Sequence, residues 1–289
     1  LELWRTELSA DYQYDHLELW TGNELKSKIN TDRYLAGLYD SNSGHLHPLN
    51  YTLGLADAAE KQGVFIYEKT MVREIREGSR IKVITSEGDV SCSYLILAGN
   101  AYLSGISGQI HKKLMPVGTY IGATEPLGEK KARELITNNM AVADINFVLD
   151  YYRLSADYRL LFGGRVSYST VPPVQLAASM KSRMLKVFPQ LSEIMIEYAW
   201  GGFVGITINR APHFGRIGKN IFYAQGFSGH GVALTGLAGK LIAESVAGTS
   251  ERFDLFSRIP HHSFPGGPYL RMPALVLAMA YYRIRDLLP

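Results

Sequence analysis

A single cysteine, Cys92, stands in the 289 residues. A disulfide framework is therefore excluded, and nothing points to an oxidising compartment. Long apolar runs are missing as well. The longest near the C-terminus, residues 273–282, is well short of the ~20 residues a membrane-spanning helix needs, and Arg283 and Arg285 follow it at once. It reads as a docking helix or a peripheral contact, not a membrane span. Basic residues never gather: the net charge is +3, the pI is near 8.8 and no basic run exceeds three, which leaves no footprint for nucleic acid. Metal-ligand spacing is also lacking. His261-His262 lies in a Pro/Gly-rich tail with no carboxylate near it, so it reads as a solvent-exposed pair and no metal site is expected. No Gly-x-Ser-x-Gly occurs, which removes the nucleophile elbow of a serine hydrolase. The opening Leu1-Glu-Leu-Trp-Arg-Thr-Glu7 is too charged for a signal peptide, and a cytoplasmic location is the expectation. Position 1 is not methionine and the chain opens inside a helical pattern, so a piece of a longer protein is expected.

What is present is an ordinary globular composition, 46% hydrophobic and 20% charged, with enough chain for one large domain or two ordinary ones. Residues 1–10 and 22–29 have helical patterns with an aromatic, acidic stretch between them, and 39–44 is a loop by composition. Pro48 opens a helix with Leu49, Leu53, Ala56 and Ala59 near one face and Gly63 at its cap. Strands are expected at 64–67, 71–75, 81–85 and 90–97, the last ending in Ala98-Gly99-Asn100. This order belongs to the later half of a nucleotide-binding α/β fold. Residues 115–205 differ in texture. Strands at 117–124, 147–154 and 159–164, a helix at 175–188 and then Trp200-Gly-Gly-Phe203 read as a mixed antiparallel sheet with a helix on one face.

The most informative local signal is Gly226-Phe-Ser-Gly-His-Gly231. A buried strand at 221–225 precedes it, and Leu234, Leu237, Ala238, Leu241 and Ile242 follow at helical spacing. Three glycines let the backbone turn sharply and bring a ligand close to bare amides. The first four N–H groups of the helix lack internal partners and carry partial positive charge. A flat ligand that gains negative charge on reduction is stabilised there, and the N1–C2=O edge of a flavin fits that description. A glycine turn that only starts a helix accounts for the motif as well.

Gly226–Gly231 comes last in an ordered set of segments. Before it stand Gly44-His-Leu-His-Pro48, Tyr94-Leu-Ile-Leu-Ala-Gly99, Pro116-Val-Gly-Thr-Tyr-Ile-Gly-Ala-Thr-Glu-Pro126, Asp157-Tyr-Arg-Leu-Leu-Phe-Gly-Gly164, and Trp200-Gly-Gly-Phe203 with Thr207, Asn209 and Pro212. In this order they resemble the D-amino-acid oxidase, glycine oxidase and sarcosine oxidase superfamily of FAD-dependent amine oxidoreductases, with the nearest likeness to γ-glutamylputrescine oxidase-type members. The resemblance implies an α/β (α+β) fold in which an incomplete FAD/NAD(P)-binding Rossmann-like domain is interleaved with a mixed antiparallel-sheet substrate domain. Residues 1–44 and 115–205 would be substrate-domain pieces, and 45–114 and 206–289 FAD-domain pieces. It also implies roles. Val72 would contact the adenine through its backbone, and Ala98 and Gly99 would lie on the adenosine side. Gly226, Phe227, Ser228, Gly229, His230, Gly231 and Val232 would face the flavin ring. Tyr151 and His230 are the candidate catalytic residues, although a structural aromatic and a capping histidine remain alternatives. The substrate would be a small-molecule amine.

Three departures shape that expectation. The family opens with a strand, GxGxxG and a helix that receives the pyrophosphate. No GxGxxG occurs here, which implies an N-terminal FAD segment of roughly a hundred or more residues, by the usual size of such a segment. The arginine that pairs with an α-carboxylate in the amino-acid oxidases falls at Val204, and a second one falls at Gly229, so an amine such as a polyamine derivative fits better than an α-amino acid. The cysteine that bonds FAD in sarcosine oxidases falls at Gly202, so FAD would be held non-covalently. Two alternatives stay open: a fragment or non-catalytic module that does not bind FAD, and a subunit of a multi-chain dehydrogenase. Loss of a first parallel strand would leave a sheet edge unpaired, which implies a homodimer or a rearranged edge.

Overall fold

Period-two alternation and apolar helix stripes resolve, in the computed structural model, into two units. The structure describes residues 1–103, 105–146, 149–164 and 174–266, with positions 270, 273, 276, 277 and 281. Leu1–Leu46 and Thr119–Gly202 fall in the first unit, His47–Gly118 and Phe203–Ala278 in the second. Helix α1 (Glu2–Tyr12), strand β1 (Leu17–Thr21), helix α2 (Gly22–Lys28) and strand β2 (Ala36–Asp40) begin the first unit. The second begins with α3 (Pro48–Lys61), β3 (Val72–Arg76), β4 (Ile81–Thr85), β5 (Asp89–Cys92), β6 (Leu95–Leu97) and the short α4 (Gly108–His111). Strand β7 (Met115–Thr124) leads back to the first, which continues with α5 (Glu129–Leu135), β8 (Val142–Ala143), β9 (Asp150–Leu154), β10 (Leu160–Gly164), α6 (Leu176–Val187) and β11 (Ile196–Ile206), whose residues from Phe203 onward fall in the second. Strands β12 (His213–Ile217) and β13 (Ile221–Gln225) and helices α7 (Gly231–Val246) and α8 (Glu251–Ser257) follow in the second.

In the first unit the strands form one sheet in the order β11-β7-β10-β9-β8. Successive side chains on a strand point to opposite faces. Tyr152, Leu154, Leu160 and Phe162 therefore share one face, and they are buried with Met180 and Met184 of α6. The rings of Tyr152 and Phe162 are parallel at 5.6 Å. Burying a large apolar side chain of this kind contributes about 1.5–3 kcal/mol. On the same face Asp150 accepts from Arg183 Nε of α6 at 2.7 Å. Beside the sheet, β1 and β2 pair antiparallel, with Trp20 stacked on Tyr39 at 4.3 Å.

In the second unit β3, β4 and β5 form an antiparallel meander, and β12, β13 and β6 a second sheet. Strand β6 runs parallel to β13, so a connection longer than a hairpin must join them. The predicted stripe on α7 is realised: Ala238, Leu241 and Ile242 are buried with Phe214, Phe222, Phe227 and Phe253.

Several sequence expectations change here. The single strand expected at 90–97 is two strands in two sheets. Cys92 pairs with Ile81 in the meander, whereas Leu95 pairs with Ile221. The corner between them is tied by Asn220, whose Nδ2 donates to Ser93 O and Gly78 O. Residues 64–67 form no strand. A strand needs a ladder partner, and among the described residues none pairs with them. Tyr39 and Asp40, expected in a loop, close β2, and the acidic aromatic stretch holds β1. Helix α3 forms where Pro48 predicts it, but none of its residues is buried. Phe147 and Val148, from the strand expected at 147–154, lie outside the described residues. Among the described residues β6 ends its sheet, with Tyr94 just before it and Ile96 within it half exposed.

Candidate functional site

The turn after β13 is set by its backbone. Gly226, Ser228 and Gly229 all have positive φ, at 72°, 53° and 100°. The Gly226 N–H donates to Asn100 Oδ1 at 2.9 Å. A Cβ on Gly226 would stand 2.4 Å from Thr207 Cγ2, so no other residue fits without a shift. The Ser228 N–H donates to Gly205 O at 3.0 Å, and Ser228 Oγ donates back to Gly226 O at 3.1 Å. Asn100, at the end of β6, and Thr207 with Gly205, at the end of β11, thus hold the turn from beneath. In the sequence Asn100 and Thr207 stand out only as parts of longer segments. Their signal is a polar residue just past an apolar strand, Thr207 directly after β11 and Asn100 three residues beyond β6.

The expected flavin-facing residues divide into two groups. Phe227 and Ser228 are buried: the Phe227 ring lies in the apolar core with Phe214, and the Ser228 hydroxyl is bonded within the turn. Gly229, His230 and Val232 are exposed, and a Cβ on Gly229 would meet nothing within 4 Å. His230 is the N-cap of α7 and makes no side-chain capping bond, so the helix start presents bare N–H groups. A cradle of glycine backbone with partial positive charge accepts a planar, electron-rich edge, and on chemistry the residues fit a flavin. Ala98 is exposed at the end of β6 in the same sheet as the turn. Gly99 has an internal reason to be glycine, because a Cβ there would meet Leu103 Cδ2 at 2.8 Å. Val72 opens the meander, paired with Thr85, and packs against the core that contains Leu97 of β6.

In the first unit Tyr151 sits on the sheet face away from Tyr152 and α6. Its register partner on β10 is Gly163, and a Cβ there would fall 2.0 Å from the Tyr151 ring. The ring therefore lies on bare backbone. Tyr152, its neighbour, is core; burial pushes its hydroxyl far up.

The remaining histidines have separate settings. His47 caps α3, its Nδ1 accepting from the Asn50 N–H. His45 Nε2 lies 2.7 Å from Asn139 O. His261 corrects the expectation of an exposed pair: its ring nitrogens are buried and its ring is 4.4 Å from that of His213. Only His262 is exposed. Packing against a buried histidine, which no local pattern encodes, draws His261 in. Among the described residues no group of three or more His, Cys, Asp or Glu could hold a metal, and no helix is long and apolar enough to cross a membrane.

Comparison with known proteins follows the same lines. The family model described as FAD dependent oxidoreductase matches residues 1–245. The gamma-glutamylputrescine oxidoreductase of Escherichia coli is 45% identical over 276 residues, covering 95% of this chain and 65% of that protein. A probable oxidoreductase, OrdL, of Haemophilus influenzae is 43% identical over 285 residues, covering 97% of this chain and 65% of that protein. The chain thus spans about two thirds of the length of these relatives. A solved glycine oxidase from Geobacillus kaustophilus has the same fold, with a TM-score of 0.75 at 20% identity over 91% of this chain and 72% of its own. With its turn, its parallel strand pair and its five-stranded sheet, the chain belongs to the FAD dependent oxidoreductase family.

Proposed function

We propose that this chain forms the greater part of an FAD-dependent amine oxidase or dehydrogenase whose substrates are γ-glutamylputrescine-like amines. The observation that carries the reading is the uncapped start of α7 behind a turn fixed by Asn100, Thr207 and Gly205. Bound FAD would supply a hydride acceptor for the carbon beside a neutral amine, giving an imine open to hydrolysis, with oxygen or another acceptor as the final electron sink. The backbone of Gly229 to Val232 would hold the negative edge of the ring. The Val72 backbone and Ala98-Gly99 would take the adenosine side. Tyr151, seated on Gly163, would present its hydroxyl to the substrate, and His230 would stand at the ring. The one cysteine, Cys92, pairs with Ile81 in the meander and stands outside the Gly226–Gly231 turn, which supports non-covalent binding. The name of the Escherichia coli relative supports the substrate class. Val204, standing where the amino-acid oxidases place an arginine, supports a substrate without an α-carboxylate at the reacting end.

Steady-state kinetics of the full-length protein test this reading. Turnover of γ-glutamylputrescine well above that of glycine or sarcosine is expected, and preference for a small α-amino acid would refute it. A second reading concerns this chain alone. It has no GxGxxG to receive a pyrophosphate. A preparation of these 289 residues that stays colourless after FAD is added would support a non-binding fragment, while flavin absorption bands would sink it. Among the described residues no strand pairs with the outer edge of β6, which supports self-association of the chain, since an unpaired strand is a template for another. Light scattering should return a dimer or larger species, and a clean monomer would count against that.

A further inference from the structure

Arg153 is two residues beyond Tyr151 on β9. The two side chains leave the same face of the sheet, about 7 Å apart along the strand. The guanidinium of Arg153 is half-buried. One N–H donates to Leu46 O at 3.1 Å and another to Leu154 O at 3.2 Å. Both acceptors are neutral carbonyls, so they orient the group without neutralising it. Among the described residues no carboxylate pairs with it. Its neighbours in the unit are placed otherwise: Arg159 is paired with Asp157 and Glu197, and Arg183 with Asp150. Loss of water without a counter-charge pulls the Arg153 guanidinium below its usual range.

A desolvated cation without a partner is unfavourable unless an anion arrives. Two of five N–H donors are used, and the rest keep the planar fork that matches a carboxylate. The fork is aimed by the Leu46 carbonyl, so little ordering is left to be done on binding. We propose that Arg153 receives a carboxylate that the substrate carries at a distance from the amine being oxidised. The inference rests on the amine-oxidase reading above and deepens it. A carboxylate beside the reacting amine has no arginine to meet at Val204, while a carboxylate elsewhere on the substrate would find Arg153 on the same strand as Tyr151. The glutamyl end of γ-glutamylputrescine is such a carboxylate; putrescine offers the same amine without it. A carboxylate from protein outside this chain would satisfy the same guanidinium, and the test separates the two sources.

The experiment compares full-length wild type, Arg153→Ala and Arg153→Lys on γ-glutamylputrescine and on putrescine, with a thermal melt of each. Arg153→Ala is expected to raise KM for γ-glutamylputrescine about 10- to 100-fold, the scale of a charged hydrogen-bonded pair. It should leave kcat/KM for putrescine within about twofold and Tm unchanged. Arg153→Lys keeps the charge but loses the fork, so it should recover only part of the affinity. Equal losses on both substrates with a lowered Tm would overturn the inference in favour of a carboxylate from the protein. No change on either substrate would overturn it too. Wild type that oxidises neither amine would sink the amine-oxidase reading itself, and the role of Arg153 with it.

Discussion

Gly226→Ala is expected to destabilise the protein by about 3 kcal/mol, from ~1–2 for a left-handed non-glycine residue and ~1–3 for overpacking. The position has φ of 72°, and the added Cβ would stand 2.4 Å from Thr207 Cγ2 and 3.5 Å from Leu114 Cδ1. Movement away from Thr207 strains the bond from the Gly226 N–H to Asn100, which leaves a part-buried donor without a partner. Urea unfolding of the full-length protein reads the loss directly. Thr207→Ser removes the obstructing methyl and keeps an oxygen that can still donate to Ala211 O, as Thr207 Oγ1 does at 2.8 Å. Added to Gly226→Ala, it should recover about 1–2 kcal/mol of the overpacking contribution. A double variant no more stable than Gly226→Ala would mean that the close approach is not the cause. Gly229→Ala is the contrast. Its φ of 100° carries strain, but its Cβ enters open space. It should lose less stability than Gly226→Ala and more FAD affinity, because the methyl stands on the exposed side of the turn where the ring is proposed to lie.

That contrast shows what the sequence could and could not disclose. Helix α7 was legible because its apolar stripe repeats at the helical period, and the glycine turn because three glycines between a strand and a helix mark a sharp reversal of the backbone. Both are local signals. The function of each glycine was not local. Gly226 is required by Thr207, nineteen residues earlier, and Gly163 by the ring of Tyr151 on the neighbouring strand. Arg153 is invisible for the same reason, since having no carboxylate partner among the described residues is a property of its surroundings. The misread elements follow the rule too. Residues 64–67 have the composition of a strand, but composition cannot supply a partner. Residues 90–97 look continuous because both halves are apolar, and only the competing pairings with Ile81 and Ile221 split them. The β1–β2 pair was missed because its acidic residues hide the alternation that Trp20 and Tyr39 complete across the strands.

The other large effect is expected in acid, at His213. This ring is buried at the start of β12. Its Nδ1 accepts from Gln225 Nε2 at 3.1 Å, and the same amide nitrogen donates to Ile110 O at 2.9 Å. A carbonyl can only accept, so the Gln225 amide is fixed in orientation. The proton on His213 must then sit on Nε2, 3.1 Å from the Tyr223 hydroxyl. Protonating Nδ1 would set two donors against each other. Burial first, then the neighbouring His261 and the Lys113 charge, push the His213 pKa down to about 3. His261 is lowered as well, by its own burial first and, among other charges, by Lys113 and His262. Above the unfolded value near 6.5 both states hold a neutral ring, and His213 adds no pH dependence. As the pH falls from there toward 3, the unfolded chain binds a proton that the folded chain refuses, so stability falls by about 1.4 kcal/mol per pH unit. At a pH of about 4.5 that amounts to about 3 kcal/mol. His213→Gln removes the titrating ring. It should be less stable than wild type at neutral pH by about 1–2 kcal/mol for the altered hydrogen bonds. The difference should shrink as the pH is lowered and reverse between about pH 6 and 5, where the wild type alone carries the proton penalty. Urea unfolding at a series of pH values between 7 and 4.5 gives both curves. If the two proteins lose stability in parallel, the acid-sensitive group lies elsewhere than His213.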